Sequence, residues 1–443
     1  MGGGNVDYGL ADIVLVSPYA VAQETRAPKD ADDIYPQLGL LCLSAYLKRH
    51  KKTVQILDGT FGSQSQPEIL KTQSPALVGI TANLITRTRA LQTIRVAAQA
   101  GSTVIAGGPD PVLAPEQYLA AGAAAVVKGE GEQSLLELIE YFQRHSTLQG
   151  VCLPGVITAS CPNPSEREFI RVLDELPLPD YEAVDIRSYL AYGKKHKGYS
   201  ILPVMSARGC PHHCTWCSKP VFGNSFRPRS AGHFVDELEK LMCDYAPDRV
   251  RVLDDVFPMN KTRIEQMAIE MEKRHLRIPF ECLARTDSLD VERLRALKRM
   301  GCYRIWCGVE SGSQKVLNAM RKGTQVEQAR RAARLIHEAD IELACFVMVG
   351  YPGETPKDVL ATLKLIDEIR PERISVSVAT PLRGTEFYEQ VKHRIKNDAA
   401  WQRTSDYKID YIREYPPMYY RFARQLVLKY WQYRFGALQP QYS

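Results

Sequence analysis

The chain has 443 residues, of which 45% are hydrophobic and 24% charged, with a net charge of +6. That length asks for two or three domains of roughly 100 to 200 residues, each burying its own core, and the composition leaves no large disordered fraction. The mild basic excess contains no dense Lys/Arg run, so it gives no ground for nucleic-acid or membrane binding and suits a small-molecule substrate.

Met1 to Asp12 offers a glycine run and an acid where an export signal needs a basic start and an apolar stretch. No apolar run approaches the roughly 18 residues of a membrane span, and a cytoplasmic protein is expected. The 11 cysteines are odd in number and scattered, which does not suit a disulfide framework. Most of those outside the Cys210–Cys217 group, including Cys42, Cys243, Cys282 and Cys345, lie in apolar or helical stretches and read as small buried hydrophobes.

In the first 150 residues strands are expected at Asp12 to Val16, Thr53 to Leu57, Leu77 to Thr81, Thr103 to Ala106 and Ala124 to Val127. Helical patterns lie between them at Gly39 to Arg49, Thr86 to Ala100 and Pro115 to Ala121, with Glu132 to Phe142 at the end. This alternation predicts a doubly wound α/β sheet, with ligands at the carboxyl ends of its strands. From about Gln149 to Gly198 the periodicity fades and prolines accumulate, as in an extended connector.

A second series follows, with strands expected at Ile201 to Ser206, Arg249 to Leu253, Phe280 to Ala284, Tyr303 to Val309, Glu342 to Val349 and Arg373 to Val378. Helices are expected at His233 to Tyr245, Lys261 to Arg274, Asp290 to Met300, Val326 to Ala339 and Pro356 to Glu368. Six βα units predict a partial parallel barrel of the TIM type, again active at its carboxyl edge. The aromatic tail from Trp401 reads as a helical docking surface over the core, or as a substrate lid. The resulting division is 8–148, a linker 149–198, a barrel 199–400 and a tail 401–443.

The segment Ala207-Arg-Gly-Cys210-Pro-His-His-Cys214-Thr-Trp-Cys217 follows the first barrel strand. Three thiolates at this spacing can hold an iron–sulfur cluster from one loop and leave one iron open to a small molecule. A zinc site that recruits His212 or His213, or three structural cysteines, remains open on spacing alone.

This motif resembles the radical SAM superfamily signature CxxxCxΦC, with Trp216 as the aromatic residue. The resemblance covers the whole second series. It implies a [4Fe-4S] cluster on Cys210, Cys214 and Cys217 whose free iron chelates S-adenosyl-L-methionine (SAM), with Trp216 against the adenine. Asp254 or Asp255, at the end of Val250 to Phe257, stands where the family places a polar contact to SAM; a helix cap is the alternative. Arg285 has a planar fork suited to a carboxylate. Gly308-Val-Glu310-Ser311-Gly312 would let backbone approach the ligand while Glu310 accepts hydrogen bonds from ribose or amine. Met348 to Thr355 and Thr380 to Thr385 resemble the family's later loops.

The first domain resembles the cobalamin-binding domain of one large class of this superfamily. The residues are Thr81 with Gly79, Gly107-Gly108-Pro109, and Gly129-Glu130 within Val127 to Glu132, all at strand ends. The cobalamin fingerprint DxHxxG supplies a histidine to cobalt, whereas this chain reads Asp58-Gly-Thr60-Phe-Gly62. The resemblance therefore implies cobalamin without a protein nitrogen below the metal. A nicotinamide site is poorer, since GxGxxG is incomplete and no Walker A sequence occurs. The methylthiotransferases need three N-terminal cysteines, and only Cys42 precedes residue 150.

Together these resemblances imply a cobalamin-dependent radical SAM methyltransferase. A donor such as flavodoxin or ferredoxin would reduce the cluster, and SAM would yield a 5′-deoxyadenosyl radical that activates an unactivated substrate carbon for methylation from cobalamin. The alternatives are an enzyme of the same class that cyclises or rearranges its substrate, and a non-catalytic cobalamin sensor with a zinc site.

Overall fold

The computed structural model describes residues 8–19, 34–61, 65–395 and 411–436. They fall into two compact units, one running to Tyr189 and including Lys219–Gly223, the other taking up the chain at Leu190.

In the first unit, β1 (Ile13–Ser17), β2 (Val54–Asp58), β3 (Leu77–Thr81), β4 (Thr103–Gly107), β5 (Ala125–Val127) and β6 (Val156–Ile157) form one sheet in the order β2-β1-β3-β4-β5-β6. Strands β1 to β5 are parallel, and β6 adds antiparallel to β5. The helices are α1 (Leu38–Arg49), α2 (Gln66–Gln73), α3 (Arg87–Gln99), α4 (Pro109–Leu113), α5 (Pro115–Ala120) and α6 (Gly131–His145). Val14, Val16, Val78, Ile80, Val104 and Ala106 share a core with Ala90 and Ile94 of α3 and Tyr118 of α5. Strands buried on both faces are apolar throughout, which is why β1 reads as an unbroken run.

The proline-rich stretch is more than an extended connector. Leu173 and Leu176 pack with Tyr46 of α1, the Asp180 amide donates to the Leu41 carbonyl at 3.1 Å, and Ile186–Lys197 is a helix, α7. The prolines end at Pro179, and past them Ile186 and Tyr189, one turn apart, are both buried. That pairing of helical spacing with burial is the signal the fading periodicity concealed.

The second unit holds β7 (Ile201–Val204), the two-stranded ribbon β8 (Ala207–Arg208) and β9 (Arg227–Pro228), then β10 (Arg249–Val252), β11 (Phe280–Ala284), β12 (Cys302–Glu310), β13 (Glu342–Val349) and β14 (Arg373–Val378). Its main sheet runs β14-β13-β12-β11-β10-β7 with every pair parallel, a six-stranded partial barrel. The helices are α8 (Ala231–Asp244), α9 (Lys261–Lys273), α10 (Val291–Met300), α11 (Gln314–Ala319), α12 (Val326–Glu338), α13 (Pro356–Ile369), α14 (Glu386–Val391) and α15 (Pro417–Phe435). Local chemistry sets their ends. Thr355 and Asp358 form a capping box ahead of α13, with Pro356 in the first turn. Gly301 stops α10 at φ +107°, where a Cβ would stand 2.4 Å from the Ile278 carbonyl oxygen.

One sheet face carries Val347, Val349 and Val376 against α13 and α15. The other carries Arg251, Glu281, Arg304 and Glu342, paired across four neighbouring strands at 3.2, 3.0 and 2.6 Å. Trp306 stacks on Phe346 on this second face with ring centroids 4.9 Å apart.

The tail behaves as a docking helix. Helix α15 buries Tyr420, Ala423, Val427 and Trp431, and the Trp431 indole donates to the Pro371 carbonyl at 2.8 Å. Trp401, where the tail was expected to start, lies outside the described residues. The cysteines need correction. Cys282 and Cys345 are buried, but Cys243 is exposed and Cys42 only half-buried, because each lies off the apolar face of its helix. Cys152 and Cys161 form a disulfide nine residues apart, brought together where Thr158 and Cys161 exchange backbone hydrogen bonds in a turn.

Candidate active site

The three-cysteine loop leaves the barrel through the β8–β9 ribbon, which clasps its base. Gly209, at φ +83°, turns the chain into it. Cys210 is buried, while Cys214 and Cys217 are half-buried and joined by a turn in which the Cys217 amide donates to the Cys214 carbonyl at 3.2 Å. The middle of the loop is pinned from three sides. The Thr215 amide donates to the Met320 carbonyl at 3.0 Å, its carbonyl accepts from the Phe387 amide at 2.8 Å, and its hydroxyl lies 2.6 Å from that of Tyr351, just past β13.

Among the described residues no three Cys, His, Asp or Glu side chains converge on a single ion site. A four-iron cluster makes a different demand, since each thiolate binds its own iron. One tetrahedral zinc would instead draw every sulfur to about 2.3 Å of one point. Cys282, Cys307 and Cys345 serve packing: burial pushes Cys307 up to about 12 and Cys282 and Cys345 well up.

Arg285, at the end of β11, presents a cationic edge to this loop. Its Nε and Nη2 donate to the two Asp287 carboxylate oxygens at 2.9 and 2.8 Å, Nη2 also donates to the Lys322 carbonyl at 2.7 Å, and Nη1 lies 3.8 Å from Cys214 Sγ. Asp287 thus fixes the guanidinium plane and leaves Nη1 turned to the cysteines.

Glu310 ends β12 at φ +63°, a backbone conformation unusual for a glutamate and typical of positions held for a purpose. Its carboxylate is buried and accepts from Lys322 Nζ at 2.8 Å. Lys322 also stands 5.4 Å from the centroid of the Trp216 ring, whose Nε1 is buried with no hydrogen-bond partner among the described residues. The pair crosses over Gly308, where a Cβ would meet Lys322 Nζ at 2.6 Å and Glu310 Oε1 at 2.7 Å. Lys322 was missed from sequence. The signal was the Arg321-Lys322-Gly323 run just past α11, which reads as an ordinary solvated turn.

Two expected contacts point elsewhere. Asp254 is fully buried, accepts from the Ser206 amide and hydroxyl at 2.7 and 2.5 Å, and has its carboxyl pushed up by burial against the pull of Ser206 and Arg263. It holds the exit of β7 and is not a helix cap, since Asn260 caps α9. Ser311 is buried, with its hydroxyl accepting from the Ser313 amide at 3.1 Å.

In the first unit the sheet order reverses between β1 and β3, the place where such sheets take ligands. Thr81, Gly107 and Gly129 stand at or just past the carboxyl ends of β3, β4 and β5. A Cβ at Gly107 would enter open space, as a flat cofactor approaching backbone requires, and Gly129 adopts φ +82°. Gly108 has a structural reason: a Cβ there would meet the Ala82 carbonyl oxygen at 2.7 Å. Glu130 accepts from the Ile170 amide at 2.7 Å, so its carboxylate holds the following segment. The edge fits a cofactor gripped by backbone.

Comparison with known proteins agrees with this arrangement. Residues 204–366 match the radical SAM superfamily model and residues 30–139 the B12 binding domain model. An uncharacterized methyltransferase of Pyrococcus horikoshii is 29% identical over 365 residues, covering 80% of this chain and 78% of its own. The anaerobic magnesium-protoporphyrin IX monomethyl ester cyclase of a Synechocystis species is 24% identical, covering 85% and 76%. The fold resembles that of the radical S-adenosylmethionine methyltransferase TsrM of Kitasatospora setae, with a TM-score of 0.71 at 19% identity over 86% of this chain and 78% of that one. The chain is thus an enzyme that carries a B12-binding domain followed by a radical SAM domain.

Proposed function

We propose that the protein is a cobalamin-dependent radical SAM methyltransferase that methylates an unactivated centre of a small molecule. In this reading Cys210, Cys214 and Cys217 hold the cluster, while Trp216, Arg285, Gly308 and Glu310 surround SAM. The observation that carries it is the cysteine loop pinned through Thr215 beside Arg285 and the Lys322–Glu310 pair. Thr81, Gly107 and Gly129 serve the cobalamin. The functional division is 8–148 for cobalamin and 199–400 for the radical chemistry, in a cytoplasmic protein supplied with electrons by flavodoxin or ferredoxin.

When bound, the cofactors supply the electron, the hydrogen-abstracting radical and the methyl group. The chain positions them. Arg285 presents one guanidinium edge, fixed by Asp287, to the open end of the loop, which suits the carboxylate of an amino acid. Glu310 offers a buried acceptor to a ribose or amine, and Lys322 holds it in place through Oε1. Asp254 and Arg263 both bind Ser206, so the loop starts from a rigid point; fixed geometry is what converts a bimolecular step into an efficient one.

The names of relatives support methylation, and the cyclase relative favours a second reading in which the same site closes or rearranges a ring. Anaerobic reconstitution with cobalamin, SAM and a low-potential reductant separates them. Methylation yields both 5′-deoxyadenosine and S-adenosylhomocysteine by mass spectrometry, and deoxyadenosine alone would favour the second reading.

A further inference from the structure

The loop after β2 occupies the place of the histidine-bearing fingerprint, and its Asp58 and Thr60 side chains engage each other. Thr60 donates to Asp58 Oδ1 through its amide at 3.1 Å and its hydroxyl at 2.6 Å. The Tyr189 hydroxyl, from α7 and 131 residues away in sequence, donates to Asp58 Oδ2 at 2.5 Å and lies 2.8 Å from Thr60 Oγ1. Tyr189 is buried, and its ring meets Phe61 edge-on at 4.8 Å. Burial, reinforced by the Asp58 carboxylate, pushes the phenol well up, so it remains a donor.

A metal-bound histidine almost always hands its second ring nitrogen to a carboxylate or carbonyl, which fixes its tautomer and orientation. In this loop the carboxylate two residues before position 60 is the natural partner. Tyr189 already holds it. We propose that Tyr189 is a positioning residue that locks Asp58 and Thr60 together, so that this loop offers cobalt no ligand even when position 60 is given one. The lack of a histidine at position 60 is thus one half of the arrangement; the other is a tyrosine that occupies the carboxylate such a histidine would use. The inference rests on the cobalamin reading above.

The test uses the full chain labelled with [15N]histidine and loaded anaerobically with cobalamin in its cobalt(II) state. Electron paramagnetic resonance reports a coordinated histidine as a twofold nitrogen-15 splitting, distinct from the threefold splitting of the cofactor's own nitrogen-14 base. Neither the unaltered protein nor Thr60→His should show the doublet, because Tyr189 still occupies Asp58. Thr60→His/Tyr189→Phe should show it, and Thr60→His/Tyr189→Leu provides the same test should the first pair fold poorly. A doublet in Thr60→His alone, or its absence from both cobalamin-loaded double variants, would overturn the role of Tyr189. Failure of the unaltered protein to retain cobalamin on equilibrium dialysis would instead remove the underlying reading, and the inference with it.

Discussion

The Nζ of Lys322 lies 2.8 Å from Oε1 of Glu310, and both side chains are buried directly over Gly308. A buried pair of this kind is costly to break from one side, because the remaining charge is left without a partner. Lys322→Met should therefore cost about 3 to 5 kcal/mol, read as a lower urea midpoint. The double change Lys322→Met/Glu310→Gln should recover much of that stability without recovering SAM binding. Equal SAM affinity in the double variant would show that the pair serves only the fold.

Glu354 gives a pH dependence. Burial pushes its carboxyl up to about 7, against the hydrogen bond it accepts from the Gly350 amide. The folded state thus holds this proton more tightly than the unfolded chain, whose carboxyl titrates near 4.5. The resulting stability is complete below pH 4.5 and is lost as pH rises toward 7, by about 3 kcal/mol. Glu354→Gln should remove this slope and be the more stable protein at pH 8; identical urea midpoints for the two proteins at pH 8 would refute the assignment.

Trp431 tests the tail. Its ring packs with Val347, Val349 and Val376 on the helix side of the sheet, so Trp431→Ala should cost about 3 to 5 kcal/mol. Iron content of the folded protein should not change, because the cysteine loop lies at the strand ends. A loss of iron without loss of stability would favour a lid.

The disulfide between Cys152 and Cys161 closes a short loop. Restricting the unfolded chain over that length should contribute about 2 to 3 kcal/mol under oxidising conditions. Cys152→Ser should match the reduced protein in urea, and a difference between those two would assign the serine an effect of its own.

Much of this architecture could be read from the chain. Strands β11, β13 and β14 have the bounds read from the chain, because the face that each turns to the helices carries apolar residues at every second position. The three-cysteine loop and Arg285 carried their own signal through residue type and spacing. What was hidden depends on distant partners. Lys322 looked like a solvated charge until α11 folded it over Gly308, and Tyr189 reaches Asp58 from a stretch whose prolines masked the helix that follows. Asp254 looked like a ligand contact, but full burial beside Ser206 commits it to the backbone.

The most direct test of the central claim compares the unaltered protein with the triple variant Cys210→Ala/Cys214→Ala/Cys217→Ala, both reconstituted anaerobically with iron and sulfide. The unaltered protein should hold about four irons and four sulfides per chain and cleave SAM to 5′-deoxyadenosine under a low-potential reductant, while the variant should do neither. Zinc in place of iron in the unaltered protein, or undiminished SAM cleavage by the variant, would contradict the account.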